Sequence, residues 1–113
     1  MKNIWLDIIV LTKGTHNITI SIVIYDWDEE KNDFLKHERD ISFEEIVLYI
    51  SEGNVVDILE HPNKEKYPHQ KVYLVNIEEY IYAVPFVEDK NNEMIFLKTA
   101  YASRKYTRRY KKD

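Results

Sequence analysis

Residues 70–87 read QKVYLVNIEEYIYAVPFV, and this stretch decides the fold. Its apolar residues fall into two alternating sets before the Glu78-Glu79 pair, a period of two that is typical of a strand. Tyrosine, valine and isoleucine continue after the two glutamates. The stretch therefore predicts two antiparallel strands, 70–77 and 80–87, joined by a tight turn. The two sets in the first strand are Val72 and Leu74, and Tyr73, Val75 and Ile77.

Further strands are predicted on both sides of this pair. A strand at 94–102 follows the polar turn EDKNNE, and a short strand VVDIL at 55–59 precedes a loop with two prolines. Pro85 cannot donate a ladder hydrogen bond, which predicts a bulge or an edge position. Together these strands predict an antiparallel meander with helices on one face.

The helix with the clearest signature is ISFEEIVLYI at 41–50, upstream of the meander. Ser42 can cap its first turn, and Glu45, three residues later, can cap back. Ile41 and Ile46 occupy the positions of a hydrophobic staple.

A second helix is predicted just before it, in DWDEEKNDFLKHER at 26–39. Its acidic residues are concentrated at the start and its basic residues at the end, an order that complements a helix dipole. We expect Trp27, Phe34 and Leu35 to share its buried face.

The first part of the chain predicts a hairpin, because residues 4–11 and 16–25 are apolar and rich in β-branched residues around TKGTHN. The tail from Ser103 predicts a short basic helix. The predicted fold class is α+β: a small antiparallel β-meander sheet packed against two N-terminal helices, with a short basic C-terminal helix.

Composition places the chain among small globular domains, since 113 residues with 44% hydrophobic and 32% charged residues suit one core. No run is long and apolar enough to span a membrane, and no signal peptide is recognisable. The absence of cysteine excludes disulfides and thiolate chemistry and is compatible with a reducing cytoplasm.

Positive charge is concentrated at the end of the chain. Residues 98–113 hold seven Lys/Arg and one acid, or +6, whereas residues 1–97 carry −10. Such asymmetry predicts an anionic partner, either a polyanion such as RNA or an acidic protein.

Several kinds of chemistry are disfavoured by the sequence. The histidines at 16, 37, 61 and 69 do not have metal-ligand spacing, so no metal and no cofactor are expected. Gly14 and Gly53 stand alone, which excludes a glycine-rich phosphate loop. The paired acids near the helix starts are explained by capping.

The basic end is the strongest functional candidate. Its cations are interleaved with Tyr101, Tyr106 and Tyr110, so phosphate contacts and stacking faces lie side by side. Cleavage of RNA needs a base, an acid and cations that stabilise the phosphate, and Arg and Lys can supply the cations without metal. A solvated tail that aids solubility is the competing interpretation.

Two stretches carry a family resemblance: YDWDEEKNDFLKHERDISFEEI at 25–46 and FLKTAYASRKYTRRY at 96–110. They resemble the BrnT toxins of bacterial type II toxin–antitoxin pairs. The resemblance implies a RelE-like ribonuclease fold and a cytoplasmic, metal-independent endoribonuclease that inhibits translation. It divides the chain into an extra N-terminal strand or hairpin, 1–22, and a BrnT-like toxin domain, 23–113.

The resemblance also implies partners. These are RNA and a cognate antitoxin, a ribbon-helix-helix protein encoded adjacently. The expected assembly is either a dimer or a toxin–antitoxin heterotetramer. No membrane partner is implied. The alternative function is a non-catalytic protein- or RNA-binding module whose basic end docks an acidic partner.

The matched terminal motif implies the catalytic residues Arg104, Arg108 and Arg109. His61 or His69, expected beside the sheet, is the candidate for acid/base catalysis. The expected RNA-binding residues are Lys98, Tyr101, Lys105, Tyr106 and Lys31. Lys111 and Lys112 lie past the motif and are expected to be solvated charge.

One departure concerns the Lys-His-Gly that the family places directly before its capping box. Counting from Trp27 puts Glu38, Arg39 and Asp40 there. Either His37 has shifted or Arg39 replaces the histidine.

Overall fold

The computed structural model describes residues 3–13, 17–89, 91 and 93–111, with side chains from residue 23 onward. Gly14–His16, in the expected hairpin turn, and Lys112 lie outside the described residues. The described elements, in chain order, are β1 (Asn3–Lys13), β2 (Asn17–Trp27), α1 (Glu29–Glu38), α2 (Phe43–Ser51), β3 (Val55–Glu60), β4 (Gln70–Ile77), β5 (Tyr80–Asp89), β6 (Met94–Leu97), β7 (Tyr101–Ala102) and α3 (Arg104–Tyr110).

The fold is α+β, as the sequence predicts, with one sheet in the strand order β1-β2-β6-β5-β4-β3. Neighbours from β3 to β6 are antiparallel, which confirms the meander. However, β2 pairs with β6 in parallel, so the sheet is mixed. The expectation of a wholly antiparallel sheet is wrong because β6 returns beside β2 after both helices and three strands have intervened.

The expected strand at 94–102 is interrupted. β6 ends at Leu97, and β7 then pairs with β5 further along, so β5 changes partner between the two short strands. Pro85 lies at this change, and its carbonyl accepts a hydrogen bond from the Lys98 N–H at 2.8 Å. β5 is an interior strand whose register with β4 is unbroken, so neither a bulge nor an edge position accommodates the proline.

The helices lie on both faces of the sheet. The larger core joins side chains of α1 and α2 to one alternating set of strand residues, including Tyr73, Val75 and Ile77. A smaller cluster on the opposite face holds Leu74 and Val72 together with Tyr106 of α3. The expectation of helices on one face is therefore wrong for α3. α1 and α2 follow the β1–β2 hairpin, as the sequence predicts.

The predicted N-cap of α2 is confirmed, but the Glu45 side chain bonds to the Ser42 hydroxyl rather than to the Ser42 backbone N–H. Ser42 is the N-cap and its Oγ accepts from the Glu45 N–H at 3.1 Å. The Glu45 carboxylate accepts from the Ser42 hydroxyl in return. Ile41 and Ile46 are both buried in the larger core, where a hydrophobic staple would place them.

The predicted buried face of α1 is partly wrong. Trp27 and Leu35 are buried, but Phe34 is 42% exposed. Asn32 is buried in place of Phe34, and its side chain contacts the start of α2.

The first two strands form an antiparallel hairpin, with Asn3 opposite Trp27 and Lys13 opposite Asn17. β2 runs unbroken through residue 22, where the sequence analysis places a domain boundary. That division of the chain stays a prediction.

Candidate nucleic-acid interface

The N-terminal end of α3 is fixed to β5 by short polar side chains. Ser103 is the N-cap, and its Oγ accepts from the Tyr106 N–H at 3.2 Å. The Ser103 N–H donates to the Ile81 carbonyl at 2.9 Å. The Thr107 hydroxyl accepts from the Ile81 N–H at 2.9 Å and donates to the Ser103 carbonyl at 2.6 Å. Both backbone groups of one β5 residue are thus bonded to the first turns of the helix.

The middle of α3 is held by Tyr106. Its ring packs on the cluster formed by Leu74, Ile81 and Ala83. Lys105 Nζ lies 5.2 Å from the centre of the Tyr106 ring, and Arg109 Cζ lies 5.8 Å from it. Both cations therefore contact one aromatic ring, and this attraction offsets part of their mutual repulsion at i,i+4.

The C-terminal end of α3 is fixed to two other elements. The Tyr110 hydroxyl donates to Asp57 Oδ2 on β3 at 2.6 Å, and Lys111 Nζ donates to the Glu78 carbonyl at 2.7 Å. Lys111 is therefore a contact residue rather than solvated charge. The bond from Tyr110, followed by the Ile58 N–H, lowers the pKa of Asp57. The same bond raises the pKa of the Tyr110 phenol.

The arginine side chains of this anchored helix make no hydrogen bond or ion pair with other described residues. Arg104 and Arg108 line a shallow depression of about 400 Å³ together with Thr107 and Tyr80. Within the described part of the chain, neither their side chains nor that of Arg109 makes a hydrogen bond or ion pair. The structure thus brings the three predicted arginines together on one short helix, with their guanidinium groups available to an anion.

Tyr80 is a site residue that sequence reasoning missed. It is the first residue of β5, just after the predicted turn, and its ring is 51% exposed. A tyrosine at a strand end gives no pattern that separates it from the other eight tyrosines of the chain.

Tyr101 lies on the same face of the sheet as α3. It is opposite Ala83 in the β5–β7 pair, and Ala83 belongs to the cluster beneath Tyr106. Directly opposed residues share a face, and Tyr101 is 43% exposed. Its ring is thus accessible for stacking. Lys98 is also exposed, near Pro85 at the break between β6 and β7.

The two candidate histidines lie at the other end of the β4–β5 pair. The His61 N–H donates to the carbonyl of Gln70, the first residue of β4, and His69 lines a depression with Val87. Arg104 and Tyr80 lie where β5 begins, opposite Ile77. A strand of this length separates the two ends by about 20 Å or more. The histidines and the arginines therefore cannot act on one phosphate in this arrangement.

Lys31, one of the expected RNA-binding residues, lies on α1, which covers the face of the sheet opposite α3. Lys31 Nζ and Arg39 Cζ lie 5.1 and 5.2 Å from the centre of the Phe34 ring. Arg39 Nη1 donates to the Ala100 carbonyl at 2.6 Å. His37 Nδ1 lies 2.8 Å from the Asp33 carbonyl of its own helix. Arg39 and His37 are the two candidates for the position of the family's histidine. Arg39 joins α1 to the segment before β7. Within the described residues, His37 contacts only its own helical turn.

The described residues contain no group of three or more His, Asp or Glu side chains placed to hold a metal ion. What α3 offers is guanidinium and ammonium groups beside phenol rings. Such a surface can bind phosphates and stack on bases. Among the described helices, none has the length and apolarity that crossing a membrane requires.

No protein-family model matches the chain, and neither the curated proteins nor the solved structures give a match. The likeness to BrnT toxins therefore rests on the two quoted sequence stretches.

Proposed function

We propose that this chain is an RNA-directed toxin of the BrnT-like class that binds RNA phosphates through α3. The observation that carries the proposal is that Arg104, Arg108 and Arg109 make no hydrogen bond or ion pair within the described residues, although both ends of their helix are bonded to the sheet. An unused tail would not require such anchoring. A fixed row of cations is an arrangement that electrostatic binding of a polyanion uses.

The aromatic residues favour nucleic acid over a simple anion. Tyr80 shares the depression with two of the arginines, and Tyr101 presents an exposed ring on the same side as α3. Exposed aromatic rings beside cations allow bases of single-stranded RNA to stack while phosphates are neutralised.

For cleavage, we assign phosphate stabilisation to Arg104 and Arg108, which line the depression. The 2′-oxygen would attack the phosphorus and give its proton to solvent water, while the bond to the 5′-oxygen breaks and the phenol of Tyr80, at the border of the same depression, protonates that leaving oxygen. This assignment replaces His61 and His69, which lie at the far end of β4. The reaction would take place in the cytoplasm of a bacterium and would be blocked by an adjacently encoded antitoxin that covers α3.

Cleavage is tested by incubating the purified protein with total RNA in the presence of a chelator. We expect RNA fragments with wild type, no fragments with R104A/R108A, and at least a tenfold slower reaction with Y80F. The control is K36Q/K66Q, which removes the same charge from positions away from α3. The same four proteins, expressed in bacteria, should arrest growth in the same order.

The second candidate is the non-catalytic module, in which α3 docks an acidic protein. The separation of the histidines from the arginines favours it, because the described residues then place no imidazole beside the cations. RNA that stays intact under all salt and metal conditions, together with α3-dependent binding of an acidic ribbon-helix-helix protein, would establish this alternative.

A further inference from the structure

β3 is an edge strand of the sheet. It is the last strand in the strand order, and no other described strand pairs with it besides β4. Just beyond its end, the His61 N–H donates to the Gln70 carbonyl, and the groups that point to and away from the partner strand alternate along the chain. The backbone N–H and carbonyl groups of Ile58 and Glu60 therefore point away from β4.

An edge strand can pair with a strand of another molecule unless a charge or a covering group prevents it. Glu60 carries such a charge, and its carboxylate forms an ion pair with Lys64. Ile58 is apolar and exposed, so its side chain gives no such protection. At Ile58 the edge therefore depends on a neighbouring group.

The neighbouring group is the carboxylate of Asp57. Its Oδ1 accepts from the Ile58 N–H at 2.8 Å, which occupies the donor that an added strand would use. Asp57 is opposite Leu74, and Leu74 belongs to the cluster that α3 covers, so the carboxylate lies on the α3 side of the sheet. There its Oδ2 accepts from the Tyr110 hydroxyl at 2.6 Å. One carboxylate thus links the outward N–H of the edge to α3.

Tyr110 makes this protection depend on the position of α3. An aspartate at an exposed edge competes with water for the Ile58 N–H, so that bond alone is weak. The Tyr110 hydroxyl fixes the carboxylate through its second oxygen, and Tyr110 is the last residue of α3. Movement of α3 away from the sheet would therefore release the carboxylate and expose the donor.

We propose that the contact between Asp57 and Tyr110 blocks pairing at the edge of β3 while α3 is docked, and that its loss allows two copies of this chain to pair through β3. The unblocked edge is complementary to itself. Antiparallel pairing about a twofold axis at Ile58 sets the two exposed Ile58 side chains against each other. The same register places Asp57 opposite Leu59 of the second copy, so acids do not oppose each other along β3. The inference does not depend on the proposed function, because it uses the position of α3 and not what α3 binds.

The first test is sedimentation of the full chain over a range of concentrations. D57A removes both the acceptor for the Ile58 N–H and the charge beside it, and should associate with itself at least about tenfold more tightly than wild type. D57A/I58K puts a charge on the same edge and should return association to the wild-type level. D33A removes an exposed acid from α1 and should sediment like wild type. If D57A associates no more than wild type, or if I58K leaves the association of D57A unchanged, the proposal is wrong.

A second test covers the case in which D57A does not fold. Hydrogen exchange of the Ile58 amide is measured by NMR in dilute protein, where wild type should show slow exchange although this amide lies on an open edge. Y110F keeps the carboxylate but loses the hydroxyl that fixes it, and should exchange at least about threefold faster at Ile58. The Leu59 amide, which points to β4, should change little. Exchange at Ile58 as fast in wild type as in an unfolded peptide, or equal in wild type and Y110F, would overturn the proposal.

Discussion

Asn32 is a buried polar side chain that joins the two helices of the larger core. Its Nδ2 donates to Glu44 Oε1 at 2.7 Å, and its Oδ1 accepts from the Phe43 N–H at 2.8 Å. The first backbone N–H of α2 is one of the donors that a helix cannot satisfy internally. Asn32 therefore fixes where α2 begins relative to α1.

Replacement of Asn32 tests this role. N32A leaves the Phe43 N–H without an acceptor in a buried position, and we expect a loss of about 2–4 kcal/mol in the free energy of unfolding, measured with urea. E44Q keeps an acceptor oxygen at the same place and should cost less than about 1 kcal/mol. Equal stability of N32A and wild type would show that the bonds are dispensable.

The bond between Tyr110 and Asp57 makes the attachment of α3 depend on pH. The pKa of Asp57 is lowered in the folded state, so its contribution is present above the unfolded pKa and is lost as the pH falls below about 4. The pKa of Tyr110 is raised, so its contribution is present below the unfolded pKa and is lost as the pH rises above about 10.

D57N tests the assignment directly. An amide accepts the hydrogen bond of the phenol more weakly than a carboxylate and also lacks its charge, so the pKa of Tyr110 should fall towards its ordinary value. Carbon-13 labelling of the tyrosine Cζ resolves this ring from the others in an NMR titration. Y110F identifies its signal, and D33N removes a similar charge from α1 as a control. An unchanged Tyr110 titration in D57N would exclude the bond in solution.

At the scale of elements, α3 is a helix of seven residues that depends on the sheet. Helices this short are unstable alone, and like charges at i,i+4 weaken α3 further. Its order therefore comes from the bonds to Ile81, the packing of Tyr106 and the contact with Asp57.

Removal of one of these bonds should loosen the helix. T107V deletes the hydroxyl that accepts from the Ile81 N–H, and we expect a loss of about 1–2 kcal/mol in stability. Hydrogen exchange should show faster exchange of the α3 amides, with α1 and α2 little changed. T107S, which keeps the hydroxyl, should behave like wild type, and identical exchange in T107V would show that α3 is held by other contacts.

Local patterns predict the elements well and their placement less well. The strand pair from Gln70, the N-cap Ser42 and the helix after Ser103 all follow from neighbouring residues in the chain, and the structure has each of them. The side of the sheet that α3 covers is set by Tyr106 meeting Leu74, a contact between distant residues. The hydrophobic periodicity within one segment does not show which side of the sheet α3 covers.

The same dependence on distant contacts explains why the sequence predicts that Phe34 is buried on α1 and does not predict that Asn32 is. Phe34 and Asn32 both fit a helical stripe, and hydrophobicity alone selects the phenylalanine. The structure buries the asparagine because α2 offers it a donor and an acceptor, while Phe34 finds two cations at the surface.

At the scale of the whole molecule, one sheet connects the β1–β2 hairpin to the strands that α3 covers. Parallel pairing of β2 with β6 attaches the hairpin to one side of the sheet, and α3 lies over β4 and β5. The parallel pairing joins residues some seventy positions apart, which is why the sequence pattern did not reveal it.

The most direct test of the central claim is the salt dependence of RNA binding. Affinity for a labelled single-stranded RNA is measured by fluorescence anisotropy over a range of salt, for wild type, R104Q/R108Q and the charge-matched control K36Q/K66Q. If each arginine neutralises one phosphate, the slope of log affinity against log salt becomes shallower by about 1.4 in R104Q/R108Q. The control should keep the wild-type slope. Equal slopes in all three proteins, or equal losses in the two variants, would contradict the assignment of α3 as the RNA-binding surface.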